Sequence, residues 1–191
     1  MGMELVKARI KESVEVKNRI LADEKMIYAI QQIADVMTCS IKQGGKILFC
    51  GNGGSASDAL HLTGEIVGRF QKERKGMAAI ALNADVATMT AIANDYGYDE
   101  VFARAVEGLM KPEDVLVGIS TSGNSENVYN AMLKAKDLGG KTIGFLGKTG
   151  GKIKDIADLS IVVPSDCTAR IQESHIMIGH IICELIEEGC C

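Results

Sequence analysis

The stretch KILFCGNGGSASDALHLTGEIVGRF, residues 46–70, decides the fold. It opens on a short apolar run (46–50) and turns through Gly51-Asn52-Gly53-Gly54-Ser55-Ala56. It continues as a helix over 56–70, with Ala59, Thr63, Ile66 and Phe70 spaced for a core-facing row. A continuous apolar run has no polar face to offer water, so it reads as a strand covered on both sides, as in a parallel sheet. The same unit recurs downstream. Apolar runs at 77–82, 115–119, 142–146 and 159–163 alternate with Gly- or Ser-rich loops and helical stretches. The chain is predicted to be a three-layer α/β/α domain with a five-stranded parallel sheet.

Before this core come two helical patterns. The first, 4–21, carries Leu5, Ile10, Val14 and Ile20; the second starts behind a capping Asp23 and runs to about residue 42. Its apolar face is read as Ile27, Ile30, Ile33, Val36 and Met37, and Gly44 and Gly45 end it. After the core, 171–188 is one long and very apolar helix. Residues 1–43 therefore read as an N-terminal helical hairpin and 44–191 as the α/β core of one domain. The length of 191 residues fits a prior of ~100–200 per domain and buries enough surface to need no staple.

Apolar residues at 47% and charged residues at 24% exclude wholesale disorder. With 21 basic against 25 acidic side chains the net charge is −4, which argues against a nucleic-acid partner. No apolar run approaches the ~18 residues of a membrane span, and the first twenty residues mix charges throughout. A soluble cytoplasmic protein without a membrane partner is expected. The six cysteines show neither CxxC nor zinc-finger spacing. Four lie in apolar segments and read as small core residues; Cys190-Cys191 reads as an exposed reduced tail.

Two loops carry the chemistry. The first satisfies G-x-G-x-x-A, but the acid a dinucleotide site needs after the next strand is replaced by Asn83, with Asp85 two residues on. No GK[ST] follows, so a P-loop is excluded. What remains is either an anion site built from backbone N–H groups and a helix N-terminus, or a tight turn with Ser55-x-x-Asp58 as a capping box. The second loop, Ser120-Thr121-Ser122-Gly123-Asn124-Ser125, opens a helix that ends near Gly139-Gly140. A cap needs one side-chain oxygen. Four hydroxyls plus Asn124, with no basic residue, suit reversible binding of a phosphate monoester.

Between the loops, His61, Glu65 and Arg69 recur at i, i+4. His61 and Glu65 lie one turn apart and both reach one metal ion; the plainer alternative is a solvated face with a Glu65–Arg69 pair. Gln172 and His180 stand eight residues apart on the last helix, ~12 Å of rise. That is awkward for one metal ion at ~2.0–2.2 Å from each ligand. Either the helix is irregular near Gln172, or the site draws these groups from different subunits. Ile176, Ile178, Ile181, Ile182, Leu185 and Ile186 spread over more than one stripe of that helix, which predicts a subunit contact there.

Taken together, GNGGSASDALHLTGEIVGRF (51–70), Asn94-Asp95-Tyr96-Gly97, GISTSGNS (118–125) and the ARIQESH segment leading to His180 resemble the phosphoheptose isomerases of the sugar isomerase (SIS) group. The similarity runs over nearly the whole chain. It implies isomerisation of sedoheptulose 7-phosphate to D-glycero-D-manno-heptose 7-phosphate through a cis-enediol, the first step towards activated heptoses for bacterial surface glycans such as lipopolysaccharide. It also implies zinc and a homotetramer. By position, His61, Glu65, Gln172 and His180 resemble the zinc ligands, Glu65 the general base and His180 the general acid. Asn52, Gly53, Gly54, Ser55, Glu65, Arg69, Asn94, Asp95, Ser120, Thr121, Ser122, Ser125 and Gln172 resemble substrate contacts. Ala169 departs from relatives that carry Asp before RIQE. Two alternatives remain: a non-catalytic phosphosugar-binding SIS module of the replication-initiator-associated type, and a nucleotide-binding Rossmann enzyme.

Overall fold

Asp23 divides the N-terminal helices. Its carboxylate accepts from the backbone N–H of Lys25 and Met26, so the chain leaves α1 (Gly2–Leu21) and restarts as α2 (Glu24–Lys42). The computed structural model describes residues 2–191. The α/β succession follows: β1 (Ile47–Gly51), α3 (Gly54–Val67), β2 (Ala79–Ala81), α4 (Val86–Tyr96), a 3₁₀ turn (Tyr98–Glu100) and α5 (Val101–Leu109). Then come β3 (Val115–Ser120), α6 (Glu126–Asp137), β4 (Lys141–Gly147), α7 (Gly151–Ile156), β5 (Leu159–Val163) and α8 (Thr168–Cys190).

The five strands are parallel, in the order β2-β1-β3-β4-β5. Successive side chains of a strand face opposite ways. Ile47 and Phe49 of β1, with Val115, Val117 and Ile119 of β3, therefore join the core beneath α1, α2, α3 and α8. Leu48, Cys50 and Leu116 join the opposite core, against Phe102, Val106, Val128 and Met132 of α5 and α6. This is the three-layer architecture the sequence predicts. Phe49, Phe102 and Phe145 are its largest buried side chains, and truncating any one to Ala is expected to cost about 3–5 kcal/mol.

Four details differ from the sequence reading. In α2 the buried row is Met26, Ile30, Ile33 and Met37, spaced 4, 3 and 4, whereas Ile27 is exposed. In α3 the buried row is Ala59, Leu62 and Ile66, not Ala59, Thr63, Ile66 and Phe70, because the helix stops at Val67. Among the cysteines, only Cys50 and Cys183 are buried, and burial raises both thiols to about 12; Cys39 and Cys167 are exposed.

The fourth concerns α8. Its apolar breadth is covered within the chain, where Ile171, Ile178, Ile182 and Ile186 sit in the core with Ile176 and Leu185 packed against it. Of the six residues that pointed to a subunit contact, only Ile181 is exposed (40%). A helix flanked by α2, α3 and the sheet has several faces to hide. A denser run of exposed apolar side chains lies on α1, at Met3, Leu5, Val6, Ile10 and Val14.

Candidate active site

In this strand order the chain turns back between β1 and β3, since β2 lies beyond β1 and β4 beyond β3. Loops leaving the carboxyl ends of such neighbours diverge and open a crevice, the usual ligand position in a parallel sheet. The loops after β1 and β3 are the two that the sequence singles out.

The first is set by glycine and by amides. Gly53, with φ +56°, adopts a conformation that side chains disfavour. A Cβ on Gly54 would collide with the Gln172 carboxamide, so Gly54 lets α8 close over the start of α3. Asn83 spends its amide on Gly51: its Nδ2 donates to the Gly51 carbonyl at 2.8 Å and its Oδ1 accepts from the Gly51 N–H at 3.3 Å. The residue that stands in place of a ribose-binding acid is thus a clamp on the loop. The capping box does not form. Gly53 is the N-cap and no side chain caps α3; Ser55 is buried and Asp58 Oδ2 is buried without a hydrogen-bond partner. Burial pushes the Asp58 carboxyl up to about 6, against the opposing pull of His61.

Asn52 and Asn127 join the first loop to the first turn of α6. Asn52 Nδ2 donates to Asn127 Oδ1 at 2.8 Å, and Asn127 Nδ2 donates back to Asn52 Oδ1 at 2.9 Å. In the second loop, Ser120 Oγ lies 2.9 Å from Ser125 Oγ and accepts from the Gly123 N–H, while Ser122 Oγ accepts from the Asn124 N–H. Ser125 is the N-cap of α6 without a side-chain cap bond, which leaves the helix N-terminus open to a ligand. The Ile153 N–H donates to the Gly123 carbonyl and the Lys152 N–H to Asn124 Oδ1, tying this loop to α7.

On the α3–α8 seam, His61, Glu65 and His180 converge, one ligand atom from each lying within 4.8 Å of the others. His61 Nε2 is 2.9 Å from His180 Nε2 and 3.1 Å from Glu65 Oε1. The three residues could hold a metal ion. Tetrahedral N and O ligands at ~2.0–2.2 Å from zinc stand roughly 3.3–3.6 Å apart, so the two short contacts of His61 reach that spacing by opening a few tenths of an ångström. Three ligands from one chain leave further coordination positions for a ligand from another chain, for water or for substrate. The Phe70 ring stacks on His180, with centroids 5.6 Å apart.

Other expected site residues lie elsewhere. α8 is one α-helix from Thr168 to Cys190, so no irregularity brings Gln172 to His180 within one chain; the Gln172 carboxamide rests on Gly54 instead. Arg69 is not in a row with Glu65. It follows the Gly68 C-cap, is exposed, and lies 3.8 Å from Glu73. Arg74 enforces that stop by donating to the Glu65, Ile66 and Gly68 carbonyls, and buried Glu187 accepts from Arg74 Nε and the N–H groups of Phe70, Gln71 and Lys72. Asn94 donates to Asp95 on the exposed end of α4. Sequence reasoning read Asp58 only as half of a capping box, and it missed Asn127 and Tyr98, whose hydroxyl donates to Asn52 Oδ1 at 2.9 Å. Only Asn127 had a signal, its place two residues beyond Ser125.

This fold and site are those of the sugar isomerase class: residues 10–147 match the family model described as SIS domain, and the chain belongs to that family. It is 50% identical over 183 residues to the phosphoheptose isomerase of Clostridium acetobutylicum, covering 96% of this chain and 93% of that one. It is 49% identical over 189 residues to that of Aquifex aeolicus, covering 99% and 98%. The solved phosphoheptose isomerase of Neisseria gonorrhoeae superposes with a TM-score of 0.93 at 41% identity, covering 98% of this chain and all of that one. Within the SIS class, the chain belongs to the phosphoheptose isomerases, and it is an aldose–ketose isomerase.

Proposed function

We propose that this chain converts sedoheptulose 7-phosphate to D-glycero-D-manno-heptose 7-phosphate in the β1/β3 crevice, with Glu65 as base and His180 as acid. The observation that carries the assignment of roles is the meeting of His61, Glu65 and His180 on two helices beside that crevice. Ketose-to-aldose conversion moves a proton from C1 to C2 and passes through a cis-enediol. Glu65 turns Oε1 to His61, which leaves its second oxygen for the C1 proton. His180 neutralises the oxyanion that develops at C2. The substrate phosphate is received by Ser120, Thr121, Ser122 and Ser125 at the open N-terminus of α6, and the sugar by Asn52, Gly53, Gly54 and Ser55, with Arg69, Asn94 and Asp95 completing the contacts.

The metal of this site is zinc, held by His61, Glu65 and His180. When bound it supplies Lewis-acid polarisation of the sugar carbonyl. Gln172 is the fourth member of the set, and its separation from His180 along a regular α8 supports a site that takes groups from two subunits. The working unit is a homo-oligomer, a tetramer, in which α1 supplies apolar surface for the contact. The reaction supplies activated-heptose synthesis for surface glycans in the cytoplasm; no helix among the described residues is long and apolar enough to cross a membrane. The test is an assay with sedoheptulose 7-phosphate, before and after chelation and zinc restoration. Undiminished turnover after chelation would overturn the zinc assignment.

A further inference from the structure

The amides at the head of the crevice are oriented by one backbone group. The Val128 N–H donates to Asn127 Oδ1 at 2.9 Å, which fixes the sense of that buried carboxamide, since its NH₂ cannot face another donor. Asn127 Oδ1 must then also take the Asn52 Nδ2 proton, and Asn127 Nδ2 must donate to Asn52 Oδ1. With Asn52 so fixed, the remaining contact on its oxygen can only be a donor. Tyr98 OH is that donor, at 2.9 Å. Asn52 Oδ1 thus accepts twice, both of its lone pairs are used, and one Nδ2 proton is left over.

We infer that Tyr98 is a positioning residue for substrate binding, holding the Asn52 carboxamide so that its unpaired N–H is presented to the phosphosugar. The inference rests on the reading of Asn52 as a substrate contact. Tyr98 opens the 3₁₀ turn directly after the Asn94-Asp95-Tyr96-Gly97 stretch, and Gly97 with φ +95° makes the bend that sends it back to the first loop. Its side chain is 53% exposed and belongs to neither hydrophobic core, so a packing role does not account for it. Its hydroxyl ties the 3₁₀ turn to the loop after β1, and through Asn127 to α6: three segments beside the crevice meet on one amide.

The test is Tyr98→Phe, which keeps the ring and removes the hydroxyl, measured in the zinc-loaded enzyme with sedoheptulose 7-phosphate. Tyr98→Phe leaves the sense of the Asn52 amide to Asn127 but frees one lone pair of its oxygen. An amide held from only one side binds the substrate and the transition state equally less well. KM is therefore expected to rise roughly 3- to 10-fold with kcat within about twofold of wild type. The melting temperature is expected to stay within about 1 °C, because the lost bond is exposed. In an Asn52→Ala background the same change is expected to do nothing further, since the amide it acts through is gone. Unchanged KM in Tyr98→Phe would overturn the inference. So would KM effects that multiply in the double variant, which would make Tyr98 a direct contact. If Asn52→Ala itself leaves KM unchanged, the loop reading fails and the inference with it. If Asn52→Ala raises KM and Tyr98→Phe does not, only the inference fails.

Discussion

His61 and His180, 119 residues apart in sequence, face each other Nε2 to Nε2 at 2.9 Å. Such a contact is a hydrogen bond when one Nε2 carries a proton, and a pair of metal ligands when neither does. α3 and α8 bring them together because Gly179 presses against Leu62, with no room there for a Cβ. For both nitrogens to bind an ion, both rings must carry their remaining proton on Nδ1.

That relationship makes metal loading measurable apart from turnover. Calorimetric titration of the chelated protein with zinc is expected to show tight binding, and a raised melting temperature, both lost in His61→Ala. Retention of wild-type zinc affinity in His61→Ala would remove the triad as the site.

Glu65→Gln keeps the size of the side chain and an oxygen but removes the proton acceptor. Turnover is expected to fall by ~10²–10⁴ with the fold unaltered. In D₂O the wild type is expected to place deuterium on the substrate carbon, and the variant to place none. Exchange at the wild-type rate would clear Glu65 of the base role.

Ser120→Ala with Ser122→Ala removes two hydroxyls from the second loop. KM is expected to rise strongly, as a phosphate oxygen loses donors worth roughly 1.5–3 kcal/mol each. Because Ser120 is buried and accepts from the Gly123 N–H, a loss of about 1–3 kcal/mol in stability is expected as well. Denaturant unfolding separates the two effects, and an unchanged KM would move the phosphate elsewhere.

Two groups are expected to cost stability in acid. Asp58, raised to about 6 by burial, works the other way between about pH 6 and 3.8, so the His175 window is read as the difference between wild type and variant. Burial holds His175 down at about 4, although its bond to the Leu146 carbonyl favours the charged form. The unfolded chain takes up that proton first, so stability drops from about pH 6.5 towards 4. Glu187 behaves differently: burial raises it, but the N–H groups of Gln71, Lys72 and Phe70 and the Arg74 side chain outweigh that and hold it at about 2. Its contribution is complete above about 4.5 and is lost as pH falls towards 2. Melting curves across pH are expected to lose the upper window in His175→Gln and keep the lower one.

Glu187→Ala leaves Arg74 buried without its partner, where both side chains are at most 5% exposed. A cost of about 3–5 kcal/mol is expected. A melting temperature equal to wild type would show that the segment after α3 does not depend on this pair.

The amino-acid sequence by itself determined the layers and the loops. Continuous β-branched runs have no face to give to water, so they read as parallel strands, and the glycines or clustered hydroxyls at their ends marked the turns where a ligand site was to be sought. Asp23 as a cap and the His61–Glu65 turn were legible because they are local, set by a few residues of known geometry. Only the tertiary structure decided what depends on distant neighbours. It placed His180 on His61, since helix packing and not spacing sets that distance. It took Arg69 out of the helical row, since Arg74 and Glu187 cap α3 from 8 and 117 residues beyond Ile66 and Phe70. It covered most of α8 within the chain and left the first half of α1 exposed, since an apolar stripe does not say which neighbour will hide it. And it made Asn83, Asn127 and Tyr98 into the frame of the first loop, because amides and hydroxyls acquire a role only from the partners that the fold brings within 3 Å or so.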